Sequence, residues 1–158
     1  MRSVQIAGKE APTLNGALKM GVLADVYLAT PEGALAYDEN PRPFSEVTVS
    51  AKGIMDLELS MLWAIYRGVA WDVEMLKDFR QLLIRDGGER IIAEIPDSLA
   101  TYLADSDEAQ ISRISSAWAA TEEMARYSQH VASHLSKLVE LAKVARISGK
   151  RMYLWMCV

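Results

Sequence analysis

Two consecutive stretches of helical periodicity, between Asp107 and Ser148, constrain this chain more than any other feature. In each stretch apolar residues recur at steps of three and four, which places them on one face of an α-helix. Ser106 or Asp107 can cap the first helix, because a short side-chain oxygen accepts an N–H group left free at a helix start. Gly149 ends the second, because glycine adopts the left-handed turn that residues with a Cβ resist. The aligned residues are Ile111, Ile114, Trp118, Thr121 and Ala125, then Val131, Leu135, Leu138, Ala142 and Ala145. We therefore predict two long helices that cover a sheet.

The remainder of the chain supplies the strands of that sheet and shorter helices. Alternation and turn residues predict strands at residues 22–29, 34–37, 44–50, 90–95 and 151–158. Capping residues and helical spacing predict helices at 56–67, 72–83 and 97–103. The C-terminal strand is apolar along its length, so we expect it to be buried as an inner or well-covered strand. The fold class is α+β, with a small, mostly antiparallel sheet packed against about five helices.

Composition narrows the partners that such a domain can have. The formal net charge of −4 over 158 residues argues against nucleic acid or an anionic membrane, since both attract basic surfaces. No apolar run approaches the roughly 20 residues that span a bilayer. A single cysteine, Cys157, rules out an internal disulfide. These features predict a cytoplasmic protein without nucleic-acid or membrane partners.

Residues 1–19 differ from the rest of the chain, with turn signals at residues 8–12 and at Asn15-Gly16. We interpret them as an N-terminal arm, lying on the surface or on a neighbouring subunit. Residues 20–158 then form a single α+β domain.

One constellation of residues has the spacing of a reactive site. Glu123, Tyr127, His130 and His134 succeed one another at steps of four, three and four, which aligns them if one helix continues through all of them. His130 and His134 can then reach one metal ion from adjacent turns, and a carboxylate can complete the site. Against this, Ser128 equally well begins a new helix, and the base that metalloproteases place after the first histidine is missing. Solvated surface histidines are the favoured interpretation, and no catalytic residue, cofactor or metal is assigned.

Two further residues have a structural interpretation first. Asp25 lies inside a predicted strand, where a buried carboxylate needs a partner, and Arg90 or Arg151 on neighbouring strands can supply one. A catalytic acid is the alternative. Cys157 lies between apolar neighbours and is expected to be an inert buried thiol, because a reactive cysteine needs a stabilised thiolate.

Three stretches of the sequence resemble a family of small uncharacterised bacterial proteins without an assigned activity. They are residues 59–65 with Gly68 and Trp71-Asp72, residues 117–123, and the terminal residues 153–158. The resemblance extends over about residues 20–158. It implies one cytosolic bacterial domain and supplies no site residues.

Three functional hypotheses remain. The leading one is a non-enzymatic domain that binds another protein or itself as a homodimer, since four Trp and eight Met suit an interface as well as a core. The second is a small metal-dependent or acid/base hydrolase that uses His130, His134 and Glu123. The third is an acidic immunity-type or regulatory partner of a basic protein, which fits the net charge. The sequence leaves open whether the chain is an enzyme.

Overall fold

A five-stranded antiparallel sheet forms the centre of the molecule. The structure, a computed structural model, describes residues 23–51 and 53–158, so the predicted arm of residues 1–19 lies outside the described residues. The strands are β1 (Leu23–Ala29), β2 (Thr48–Ser50), β3 (Gln81–Arg85), β4 (Arg90–Glu94) and β5 (Arg151–Cys157). Their order across the sheet is β2-β1-β5-β4-β3. The predicted α+β class is confirmed.

The C-terminal strand β5 occupies the middle of this sheet. It pairs along its whole length with β1, from Leu23 opposite Cys157 to Ala29 opposite Arg151, and on its other side with β4. Met152, Leu154 and Met156 face one side of the sheet and are buried. An apolar strand needs such cover on both edges, because its unpaired groups would otherwise attract other chains. The prediction of a buried terminal strand is confirmed.

Four α-helices cover one face of the sheet. They are α1 (Asp56–Arg67), α2 (Asp97–Ala104), α3 (Glu108–Ala119) and α4 (Val131–Ser148). Asp107 caps α3 by accepting the N–H of Gln110, and Gly149 ends α4 at φ +69°, both as predicted. Trp118 of α3 and Leu138 of α4 are buried. The Trp118 indole N–H donates to the Glu58 carbonyl at 3.1 Å. Both long helices therefore contribute to the main core.

The opposite face of the sheet has a smaller core of its own. Two 3₁₀ segments, Ala34–Asp38 and Arg42–Val47, lie over it. The prediction of a strand at 34–37 is wrong, and of the strand predicted at 44–50 the structure forms Thr48–Ser50. Tyr27 and Tyr37 stack with ring centroids 4.1 Å apart, so aromatic packing holds the first 3₁₀ segment against the sheet. The apolar residues Ala34, Tyr37 and Phe44 therefore pack onto the face of the sheet and do not form a strand within it.

The helix predicted at 72–83 is also wrong. Asp72 does cap a helical turn by accepting the N–H of Glu74, but the turn is the 3₁₀ segment Val73–Asp78. Leu82 and Leu83 then belong to β3, which forms a hairpin with β4. Pairing with the next strand in the sequence therefore prevails over the helical spacing of the apolar residues.

Candidate functional site

The histidine stripe suggested by the sequence is divided between two elements. Glu123 and Tyr127 belong to the 3₁₀ segment Glu122–Tyr127, whereas His130 directly precedes α4 and His134 lies in its first turn. The backbone N–H of His130 donates to the Tyr127 carbonyl at 2.7 Å, within the turn that separates the two elements. Residues 120–130 thus interrupt the single helix that the four-residue stripe requires. The new helix that the sequence allows near Ser128 starts at Val131.

His130 and His134 nevertheless line one surface groove. Ser133 and Lys137 extend the same wall, and residues Thr48–Ser50 of β2 form the opposite one, around a volume of about 400 Å³. Lys137 forms no ion pair with any other residue of the described ranges. Within residues 23–51 and 53–158, no group of three His, Cys, Asp or Glu side chains is placed to hold a metal ion. This part of the groove offers the Lys137 cation to a ligand.

The groove continues along α4 into an apolar part. Val49 of β2 faces Leu141 and Val144 of α4 there, around about 350 Å³, and Glu46 and Glu140 stand beside them. We call the whole depression between residues 46–50 and residues 130–144 the edge groove. It is basic near Ser50, apolar beside Val49 and acidic near Glu46.

The outer edge of β2 borders this groove. In an antiparallel pair, residues that exchange hydrogen bonds alternate with residues whose N–H and C=O point away from the partner strand. The Ala51 N–H donates to the Ala24 carbonyl at 2.8 Å, and Val49 lies opposite Val26 in the same register. The alternation therefore directs the N–H and C=O of Thr48 and Ser50 outward. No other strand of the described residues pairs with that side of β2.

A second polar cluster lies on the other face of the sheet, around Asp38. Its side chain has no exposed surface, and its Oδ1 accepts the indole N–H of Trp155 at 2.9 Å. Its Oδ2 lies 3.2 Å from Arg85 Nε and 3.1 Å from an Arg90 terminal nitrogen. We call these four residues the Asp38 cluster. Asp38 is shared by two arginines, which have Glu39 and Asp86 as further ion-pair partners. The cluster therefore fastens the 3₁₀ segment to β3, β4 and β5.

Asp25 has a different partner from the predicted one. Its Oδ2 accepts the Tyr37 hydroxyl at 2.7 Å, and no arginine of the described residues lies within ion-pair distance. Arg90 pairs with Asp38 and Asp86, and Arg151 with Asp97 and Glu94. Burial, followed by the hydrogen bond from its hydroxyl to Asp25, raises the pKa of Tyr37 well above its usual range. The predicted ion pair is therefore replaced by a phenol–carboxylate hydrogen bond.

Cys157 faces the same side of the sheet as the Asp38 cluster. Burial raises the pKa of its thiol, against a smaller opposing effect of the Arg90 charge. A thiol whose ionisation is disfavoured is a weak nucleophile. The structure therefore gives Cys157 no feature of a reactive cysteine.

Comparisons with known proteins add nothing to this geometry. No protein-family model, curated protein or solved structure matches the chain. The resemblance to a family of small bacterial proteins therefore stays a prediction, as does the cytoplasmic location. No helix of the described residues has the length and apolar character needed to cross a membrane.

The edge groove does not emerge from sequence reasoning, although the residues of both its walls are visible in the sequence. The histidines of α4 mark one wall, but Val144 lies outside the aligned apolar face. The residues of β2 fall within a longer predicted strand, with no indication of which strand ends the sheet. Strand order is a non-local property, so no local pattern identifies an exposed edge.

Proposed function

We propose that this chain is a protein-binding domain that holds an extended segment of a partner along β2. One observation carries the proposal: the N–H and C=O groups of Thr48 and Ser50 point away from β1, and both residues line the edge groove. An extended segment added there would form main-chain hydrogen bonds, which supply affinity in strand addition. Its alternate side chains would enter the groove and supply specificity.

The two outer strands of the sheet differ in how well they resist pairing. In β3 the register shifts between Gln81 and Leu83, and Arg80 and Arg85 carry charges at its two ends. Bulges and edge charges are the usual devices that prevent unwanted strand pairing. β2 has the sequence Thr-Val-Ser, without a charge, a proline or a bulge. Its length of three residues limits pairing, but the strand lacks the charge, proline or bulge that would block it, which is consistent with a strand that pairs with a partner.

The edge groove also defines the side chains that a partner would present. Val49, Leu141 and Val144 favour one apolar side chain, because burying it removes apolar surface from water. Lys137, which lacks an ion-pair partner among the described residues, favours an acidic group at the other end. We therefore expect a bound segment with an apolar residue and an acidic residue several positions apart.

A peptide-display selection against the immobilised chain tests this proposal, with two lysine variants of α4 as probes. Val144→Lys places a charge in the apolar part of the groove and should weaken selected peptides by about tenfold or more. Ile147→Lys is the matched control, because Ile147 lies one turn further along α4, is 87% exposed and does not line the groove. N-methylation of alternate peptide bonds should abolish binding, because it removes the main-chain donors.

Two outcomes would contradict the proposal. One is the failure to select any peptide whose binding depends on Val144. The other is a set of peptides whose binding depends on Trp71, which is 37% exposed beside exposed Val69 and Val73 on another surface. The Trp71 indole already donates to Ser60 at 2.8 Å, so we do not expect that surface to be the binding site.

A further inference from the structure

We propose that the strand docked on β2 is β2 of a second copy of this chain, in an antiparallel pair related by a two-fold axis. This inference rests on the proposed function, since it names the partner of the same groove. The two sheets would join into one antiparallel sheet of ten strands, with an edge groove on each side of the axis. β2 would then cease to be an edge strand.

The backbone of β2 suits pairing with itself. In a two-fold dimer the same patch of both subunits meets, so the patch must be self-complementary. With Val49 nearest the axis, Thr48 of one subunit lies opposite Ser50 of the other. These are the residues whose N–H and C=O groups point outward. Each Thr48–Ser50 pair can exchange two hydrogen bonds, so the short strand forms four across the axis.

The charges of the edge groove are self-complementary in the same arrangement. The Lys137 cation lines the part of the groove at Ser50, whereas the carboxylates of Glu46 and Glu140 line only the part towards Thr48. A two-fold axis at Val49 brings the basic end of each groove against the acidic end of the other. Lys137 lines both parts of the groove, and Glu140 comes one helical turn after it. In this arrangement Lys137 faces Glu140 of the partner subunit, twice in each dimer, and competes with Lys143, which lies 3.8 Å from Glu140 within its own chain.

The charge of Glu46 also favours a second copy of the chain as the partner in the groove. Glu46 forms no ion pair with another described residue, as is also true of Lys137. Two charges of opposite sign, neither of them in an ion pair with a described residue, therefore border one groove in a chain whose formal net charge is −4. A neutral partner would compensate neither charge and a uniformly charged partner only one of them, whereas a second copy presents side chains of both signs.

Sedimentation equilibrium with two charge-reversal variants tests this arrangement. The wild-type chain should have twice the 17.5 kDa of one copy. Lys137→Glu and Glu140→Lys should each raise the dimer dissociation constant at least tenfold, because each places like charges opposite one another twice. An equimolar mixture of the two variants should recover the wild-type constant, because both facing pairs again have opposite charges. Lys150→Glu, beyond the end of α4, is the matched control and should leave dimerisation unchanged.

The measurements are made with a reductant, so that Cys157 cannot link two chains. Circular dichroism should be the same for all variants, since Lys137 and Glu140 are exposed. As a second variant, Val144→Lys should also dissociate the dimer, and a peptide selected on the groove should compete with dimerisation. A monomeric wild type, or a dimer that tolerates both charge reversals, overturns the inference. If Val144-dependent peptides still bind in either case, the proposed function stands without it.

Discussion

At the scale of single residues, Asp38 shows how one buried carboxylate holds distant parts of the chain together. Its two oxygens reach Trp155, Arg85 and Arg90 from the middle and outer strands of the sheet, while its backbone belongs to the 3₁₀ cover. A charge without solvent contact is stable only if its partners compensate the lost hydration. Both arginines keep about a third of their surface in water, so their own desolvation is partial.

We predict that Asp38→Asn lowers the free energy of unfolding by about 1–3 kcal/mol. The amide oxygen can still accept the Trp155 indole N–H, but both ion pairs are lost. Urea unfolding monitored by circular dichroism measures the change. Glu39→Gln is the matched control, since Glu39 is exposed and pairs with the same Arg85; its cost should stay below about 1 kcal/mol. Equal costs for the two variants would show that the Asp38 cluster contributes no more than a surface pair.

The Asp38 cluster is not visible in the sequence, for a reason that its residues make plain. Asp38 lies in a stretch rich in charge and proline, which is typical of a solvated loop. Arg85 and Arg90 flank a predicted turn at Asp86-Gly87-Gly88, but their approach to Asp38 depends on the folded sheet. Cys157 lies in a strand, as its apolar neighbours in the sequence predict, but it is only partly buried.

At the scale of elements, the ends of helices are predicted better than their interiors. α1 spans Asp56–Arg67 as expected, and Gly68 ends it at φ +69°. Capping is a local interaction between residues close in sequence, so the sequence alone defines it. The conformation of the segment between α3 and α4 depends less on its local sequence. Helical spacing predicts a continuous helix there, but the structure has a short 3₁₀ segment with a fully buried Met124.

The turn after α4 gives a direct test of this local control. Gly149 adopts φ +69°, no atom lies within 4 Å of the position that a Cβ would occupy, and β5 begins two residues later. Gly149→Ala should therefore cost about 1 kcal/mol of unfolding free energy through backbone strain alone. Gly149→Asn should cost less, because asparagine tolerates the left-handed conformation. Thermal unfolding of both variants measures the difference.

If Gly149→Ala were as stable as the parent chain, strain at this turn would not be the cause of the helix end. If Asn and Ala cost the same, the loss would come from something other than φ. The outcome matters for the sheet as well, because the Lys150 N–H donates to the Ala145 carbonyl and so leads the chain directly into the central strand.

At the scale of the whole molecule, the sheet is covered on both faces, and the two covers differ in how far they can be predicted. The helical cover results from periodicity, since Ile114, Trp118, Leu135 and Leu138 have the spacing of one helix face. On the other face, Tyr27, Tyr37, Phe44 and Tyr153 pack together, and we call them the aromatic cover. Tyr27 and Tyr153 meet because β1 pairs with β5, although more than a hundred residues separate them in the sequence. The edge groove also depends on strand pairing, because it lies beside β2, the strand at one edge of the sheet.

The aromatic cover predicts how the fold responds to alkaline pH. Burial raises the pKa of Tyr27 and of Tyr37 above the values of free phenols, and further tyrosine and carboxylate charges add to the effect. Because the folded pKa exceeds the unfolded value of about 10, the stability from these phenols is complete below about pH 10 and is lost as pH rises through the folded pKa. Each phenol that ionises only on unfolding steepens this loss by about 1.4 kcal/mol per pH unit.

We therefore predict that the tyrosinate absorbance of the buried phenols appears together with the loss of circular dichroism, above the pH at which exposed tyrosines ionise. Tyr37→Phe removes one buried phenol and should make the fall of stability with pH less steep, even though losing the bond to Asp25 lowers stability at neutral pH. Tyr102→Phe is the matched control, because Tyr102 is 39% exposed, and it should leave the slope unchanged. Ionisation of all six tyrosines near pH 10 with the fold intact would mean that water reaches the aromatic cover. In that case the second face of the sheet would be an accessible surface, and the contrast between a closed face and an open β2 edge would no longer favour the edge groove as the place where partners bind.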